Sequence, residues 1–246
     1  STGELIARMD ADDISHPDRL AKQLAFMDAN SGISVLGCRY RTVSNSGKTL
    51  GCSPKALARE HEAMWRLPLG STLPHPGVIF RRQAIERAGG YDERWQHAED
   101  YDLWCRLVRA GHQITNLPDC LLDYRSHPMQ VSSIRVNLQR GEALEIAQQH
   151  FSWSIGEDAS RQAVADLRRL CIDGPWEGEM DARRTDAIVD LSRKYVVAIG
   201  KRFPHLVQRR ARHYFMRKFV KAGVVAAARL DASAHLYLKA AAKLQI

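Results

Sequence analysis

The chain has 246 residues, 45% of them apolar and 26% charged, a composition that buries one large or two modest cores and excludes general disorder. Its net charge of +8 is unevenly placed: residues 201–246 hold eleven Lys or Arg against one acid, Asp231, so this tail carries +10 and the remainder −2. A basic tail suits an anionic lipid surface or nucleic acid, and equally a solvated helix face.

Residues 5–9 form a short apolar run that predicts a strand, ending in Asp10-Ala11-Asp12-Asp13. Ser15-His16-Pro17 predicts a helix start with Pro17 at the first helical position, and Leu20, Leu24 and Met27 follow at helical spacing until Asn30-Ser31-Gly32 stops it. Residues 34–43 predict a strand, turned at Ser44-Asn45-Ser46-Gly47 into a second short one. A helix over 54–67, a strand over 77–80 and a helix over 83–88 come next, the last closed by Gly89-Gly90. The pattern then predicts a helix over 98–110 that Gly111 ends, and two further strands over 114–117 and 120–124. Alternating elements of this kind make an α/β domain. Beyond about residue 130 strand signals vanish and helical patterns run to the end, which sets the expected domains at 1–133 and 134–246.

Five cysteines, at 38, 52, 105, 120 and 171, contain no CxxC pair, which suggests neither a zinc site nor a disulfide framework and leaves reduced thiols as the expectation. No apolar run approaches the roughly 18–20 residues needed to span a bilayer. The chain opens at Ser1 without a methionine or signal peptide, so it reads as a piece of something longer.

Two acidic stretches carry the chemistry. Three aspartates within four residues raise one another's pKa unless a cation or hydrogen-bond donors compensate, and a divalent metal, which prefers oxygen ligands, resolves that conflict. Alternation along an extended backbone would put Asp10 and Asp12 on one side, where a D-x-D pair meets one metal. The plainer reading is that Asp12 and Asp13 cap the next helix. The second stretch is His97-Ala98-Glu99-Asp100-Tyr101-Asp102-Leu103-Trp104, where Glu99 and Asp100 open a helix. A carboxylate there stays ionised and serves as a base if it faces a cleft. Asp102 and Arg106, four apart, are spaced for an ion pair.

Ala7-Arg8-Met9-Asp10-Ala11-Asp12-Asp13 with Pro17-Asp18-Arg19-Leu20 resembles the D-x-D region of inverting family 2 glycosyltransferases of GT-A fold. Gly89-Gly90-Tyr91-Asp92-Glu93 followed by Glu99-Asp100-Tyr101-Asp102-Leu103 is similar to that family's acceptor-side motif, and Tyr124-Arg125-Ser126-His127 to its closing one. The resemblance covers residues 1–133 and implies a partial Rossmann-like mixed-sheet domain followed by an all-helical region. It implies Asp100 as catalytic base and Asp10, Asp12 and His127 as ligands of Mg²⁺ or Mn²⁺. Asp10, Asp12 and Asp13 would meet the donor diphosphate, and Glu99, His75 and Gly77 the acceptor. The family's opening βαβ segment has no counterpart before Ser1.

The function so implied is inverting transfer of a sugar from a UDP- or dTDP-sugar donor to a saccharide or lipid-linked acceptor, in bacterial cell-surface polysaccharide synthesis. The expected place is the cytoplasm, with peripheral contact at the inner membrane through the basic tail and no nucleic acid as partner. A metal-dependent nuclease or hydrolase is a rival reading that predicts basic charge beside the acids rather than in the tail. A non-catalytic truncated module that binds an anionic surface through the tail is the other.

Overall fold

The computed structural model describes residues 2–53, 61–126, 135–172, 181–203, 205–228 and 234–244. They divide into two compact units: Ser1–Leu67 with Ser71–Ala143, and Pro68–Gly70 with Leu144–Ile246.

In the first unit the order is β1 (Leu5–Ala7), β2 (Ile14–Ser15), α1 (Arg19–Ala29), β3 (Ile33–Val43), β4 (Thr49–Cys52), α2 (Glu62–Arg66), β5 (Ile79–Arg81), α3 (Arg82–Arg87), α4 (Glu99–Arg109) and β6 (Gln113–Arg125). Short 3₁₀ turns at Leu67–Leu69 and His75–Gly77 interrupt the chain after α2, and α5 (Val136–Ile155) follows β6. The six-stranded sheet is ordered β1-β5-β3-β6-β2, with β4 also paired to β3. Only β3 and β6 run parallel, Leu36 facing Thr115; every other pair is antiparallel. The mixed α/β layout expected from the sequence is therefore present.

Three expectations change. Residues 113–125 form one strand rather than two, because a register shift opposite Gly37 to Arg39 accommodates Pro118 within it, as bulges do for a residue lacking an amide proton. The helix after the aspartates starts at Arg19, not Pro17, because Ile14–Ser15 is drawn into the sheet against Leu122 and Asp123. Leu20 and Leu24 face outward, 47% and 42% exposed, while α1 buries Arg19, Gln23 and Met27. This i, i+4, i+8 stripe is polar because its heads bond to carbonyls beneath it. Met27 itself joins Leu36, Cys38, Ile79, Leu117, Leu121 and Leu122 in the core. Of the helix expected over 54–67, residues 54–60 lie outside the described residues and Glu62–Arg66 is helical.

The regular elements of the second unit, among its described residues, are all helical: the end of α5, α6 (Arg161–Ile172), α7 (Ala182–Arg202), α8 (His205–Ala228) and α9 (Ala234–Lys243). Val207, Ala211, Phe215 and Phe219 bury one face of α8 at i+4 spacing, the pattern that directs one helix stripe to a core. Phe151, Val164, Leu167, Ile188, Tyr195 and Tyr237 complete that core. Asp166, 2% exposed, accepts from Arg184 Nη2 and Nε at 2.7 and 2.9 Å, a bidentate pair with one guanidinium edge, and from Gln162 at 2.8 Å, which satisfies a charge that burial would otherwise penalise. Asp181 caps α7 through the Arg184 N–H at 2.7 Å.

Candidate active site

The site lies in the first unit, where the ends of β1, β6 and α4 and the 3₁₀ turn at His75–Gly77 meet. Arg8 follows β1 and is fixed from both sides of its peptide. Its N–H donates to the Val78 carbonyl at 2.9 Å, and its own carbonyl accepts from Arg19 Nη2 at 3.1 Å. Arg19 Nη1 also donates to Pro76 O at 2.9 Å, and Gln23 Nε2 to Gly77 O at 2.9 Å. The buried polar stripe of α1 thus clamps the aspartate loop and the His75–Gly77 turn to one support. Gly77 is buried, and a Cβ there would stand 3.1 Å from Cys38 Sγ, so a larger residue would press on its neighbours.

Beyond Arg8 the backbone turns instead of extending: the Asp13 N–H reaches back to the Asp10 carbonyl at 3.4 Å. Asp10 pairs with Arg8 Nη2 at 2.6 Å. Asp12 is exposed, and its carbonyl accepts from Arg125 Nε at 2.8 Å. Asp13 is buried, with Oδ1 accepting the Arg125 N–H at 2.9 Å and Oδ2 without a hydrogen-bond partner. Burial pushes the Asp13 carboxyl up, the Arg125 N–H opposes that, and Asp12 and Asp10 add to it. Neither Asp12 nor Asp13 caps α1, whose N-cap is Asp18 with no side-chain bond.

Glu99 and Asp100 occupy the first turn of α4. Their helix start is tied down by Glu142, which accepts the His97 N–H at 2.9 Å, and by Gln139 Nε2, which donates to His97 O at 2.8 Å. Burial raises the Asp100 carboxyl to about 6; the Tyr101 N–H pulls it down, Glu99 pushes it up, and Arg8 pulls it down. Arg8 is thus ion-paired with Asp10, and its charge also lowers the Asp13 and Asp100 carboxyls, so one guanidinium acts on both acidic motifs. One helical turn on, Arg106 donates Nε to the buried Asp102 at 2.6 Å and Nη2 to Gly90 O at 2.6 Å, with Ala88 O as a third acceptor. The ion pair expected from spacing is present, and it fixes the loop through Gly89 and Gly90, whose φ of 82° and 70° suit glycine.

His75 hydrogen-bonds through Nε2 to the Tyr91 hydroxyl at 2.9 Å and stands edge-on to the rings of Tyr91 and Trp104. Burial, then the Arg8 charge, pushes its imidazole down to about 3, so it is neutral at physiological pH. His127 lies outside the described residues. Among the described residues no group of three or more His, Cys, Asp or Glu side chains is gathered tightly enough to hold a metal. Asp10 and Asp12 nonetheless supply two hard oxygen donors one residue apart, the donor chemistry that Mg²⁺ or Mn²⁺ takes when phosphates and waters complete its shell. Arg8, Arg19 and Tyr91 stand in the motifs read from the sequence without a role of their own, and Gln23 stands in none of them. Arg19 and Gln23 carry a signal only in retrospect, sharing one α1 face with Met27.

The family described as Glycosyltransferase like family 2 matches residues 1–156, and the chain belongs to that family. An amylovoran biosynthesis glycosyltransferase of Erwinia amylovora is 31% identical over 57% of this chain and 50% of its own. An O-antigen biosynthesis glycosyltransferase of Escherichia coli is 34% identical over 50% of this chain and 48% of its own. An Escherichia coli UDP-Gal:alpha-D-GlcNAc-diphosphoundecaprenol beta-1,3-galactosyltransferase is 29% identical over 50% and 44%. The chain spans about half the length of these relatives.

Proposed function

We propose that this chain carries the metal and acceptor side of an inverting glycosyltransferase that moves a sugar from a nucleoside-diphosphate donor to an acceptor hydroxyl. The observation that carries the reading is that Arg8, ion-paired with Asp10 in the aspartate turn, also acts electrostatically on Asp13 and on Asp100 at the start of α4. Asp100 accepts the proton of the acceptor hydroxyl. The freed oxygen then forms a bond to the anomeric carbon from the face opposite the diphosphate, and the bond to the diphosphate breaks. Base catalysis of this kind contributes about 10²–10⁴-fold. Asp10 and Asp12, with His127, would hold Mg²⁺ or Mn²⁺, which when bound neutralises charge on the departing diphosphate. Asp10, Asp12 and Asp13 line the donor side; His75, Glu99 and Gly77 belong to the acceptor side.

The names of the relatives support cell-surface polysaccharide synthesis, a UDP-sugar donor and a lipid-linked saccharide acceptor. The tail adds a reason for work at a cytoplasmic membrane surface. Arg209, Arg212, Arg217 and Lys221 are exposed on α8, whose opposite face is buried, and anionic lipid attracts such clusters. Among the described residues no helix is long and apolar enough to cross a membrane.

Turnover of a panel of UDP- and dTDP-sugars on p-nitrophenyl glycoside acceptors tests the reading, with Asp100→Asn beside wild type. The expected result is transfer with inverted anomeric configuration, reduced about 10²–10⁴-fold in the variant. Transfer with retention, or an Asp100→Asn variant of full activity, would overturn it.

A further inference from the structure

Tyr91 belongs to none of the groups assigned above, yet its surroundings are unusual for an aromatic ring. It is 42% exposed, but the chain around it is constrained on every side. Gly89 and Gly90 precede it with positive φ, and the carbonyls of Ala88 and Gly90 are both held by Arg106. Arg106 in turn is locked to Asp102 on α4, the helix whose first turn carries Glu99 and Asp100. The Tyr91 hydroxyl is bonded to His75, and His75 leans edge-on against Trp104, which is fully buried. The charges of Asp100 and Glu99 both act on the Tyr91 phenol. His75 and Arg106 thus tie the Tyr91 loop to α4, Arg106 through Asp102 and His75 through Trp104, on the same helix whose first turn bears the two carboxylates.

A half-exposed aromatic ring on a loop tied to the helix that carries two carboxylates suits a ligand that is apolar on one side and hydroxylated at its edge. A pyranose has that character: its C–H face covers a ring, and its hydroxyls meet acceptors. The ring also costs little entropy to use, because loop and hydroxyl are already fixed. The neutral imidazole of His75 serves this arrangement, since it shares one hydrogen bond with the phenol without adding a charge that would draw Asp100 away from the acceptor.

We propose that Tyr91 is the stacking platform for the acceptor sugar and fixes which pyranose face is presented to Asp100. The inference rests on the acceptor-side reading above and adds to it the residue that selects the acceptor. His75 is a positioning residue in this scheme: it acts through the Tyr91 hydroxyl.

The test is saturation-transfer NMR on the 246-residue chain, with p-nitrophenyl galactoside and p-nitrophenyl N-acetylglucosaminide as probes and p-nitrophenol as the control without a sugar. Wild type, Tyr91→Leu and Tyr91→Trp are compared, each also titrated with UDP and Mn²⁺ by calorimetry. The expected outcome is transfer to pyranose C–H protons of at least one glycoside in wild type and Tyr91→Trp. In Tyr91→Leu the affinity drops by at least about fivefold, with UDP binding unchanged. Rescue by Trp separates stacking from a merely structural role. Equal glycoside binding by Tyr91→Leu, or no pyranose transfer in a wild type that binds UDP, would overturn the platform and leave the transferase reading standing. Loss of both UDP and glycoside binding in wild type would overturn both.

Discussion

Arg106→Met probes the support of the site through one buried ion pair. Asp102 has a side chain only 4% exposed, and Arg106 one 23% exposed. Removing the guanidinium leaves a buried carboxylate without its partner and strips the Ala88 and Gly90 carbonyls of their shared donor. Breaking a buried pair from one side costs about 3–5 kcal/mol, and the partial exposure of Arg106 places this one near the lower end, at about 3 kcal/mol. At this chain length each kcal/mol moves the melting temperature by about 2–4 °C, so a drop of about 6–12 °C is expected in a thermal melt followed by circular dichroism. The double variant Asp102→Leu/Arg106→Met replaces both charges by apolar groups and regains most of that loss, since such replacements are often near neutral. An Arg106→Met melt within about 2 °C of wild type would refute the reasoning, because the pair would then be contributing no more than a surface ion pair does.

Asp100, lifted to about 6 by burial, binds more protons folded than unfolded between its ordinary value near 4 and 6. Folded stability therefore falls as pH rises through that window, and Asp100→Asn is expected to melt higher than wild type at pH 7 while converging with it at pH 4. The same group must be ionised to act as a base, so a transfer rate that rises with pH through about 6 is expected in a pH–rate profile. Gly37→Ala would place a Cβ 2.2 Å from Asn116 Oδ1, a buried amide that also donates to Thr72 O at 2.9 Å. A loss of about 1–3 kcal/mol should appear in urea unfolding. In the helical unit, Arg184→Met leaves Asp166 buried beside Gln162 alone and should cost about 3 kcal/mol, read by the same measurement.

The two acidic motifs were legible in the sequence because they are local: each is a run of carboxylates at an element boundary, and the structure keeps Glu99 and Asp100 in the first turn of α4 as read. What was not legible depends on residues distant in the chain. Ile14–Ser15 is too short to show strand periodicity and exists only because β6 lies beside it. The outward Leu20 and Leu24, with Arg19 and Gln23 beneath, invert the usual rule for helix faces. The carbonyls of Arg8, Pro76 and Gly77 that require this come from 11 to 57 residues away. Pro118 broke the strand pattern in the sequence but not the strand, since the register shift absorbs it. The extended Asp10-x-Asp12 geometry gave way to a turn closed on the Asp10 carbonyl, a feature set by how Asp13 is anchored to Arg125 at the end of β6.

The most direct test of the central claim is a calorimetric titration of UDP into the chain with and without Mn²⁺, wild type beside Asp12→Ala. The account predicts nucleotide binding by wild type that requires Mn²⁺ and is lost in Asp12→Ala, with both proteins equally folded by circular dichroism. Binding that is the same in both proteins, or that ignores Mn²⁺, would contradict it.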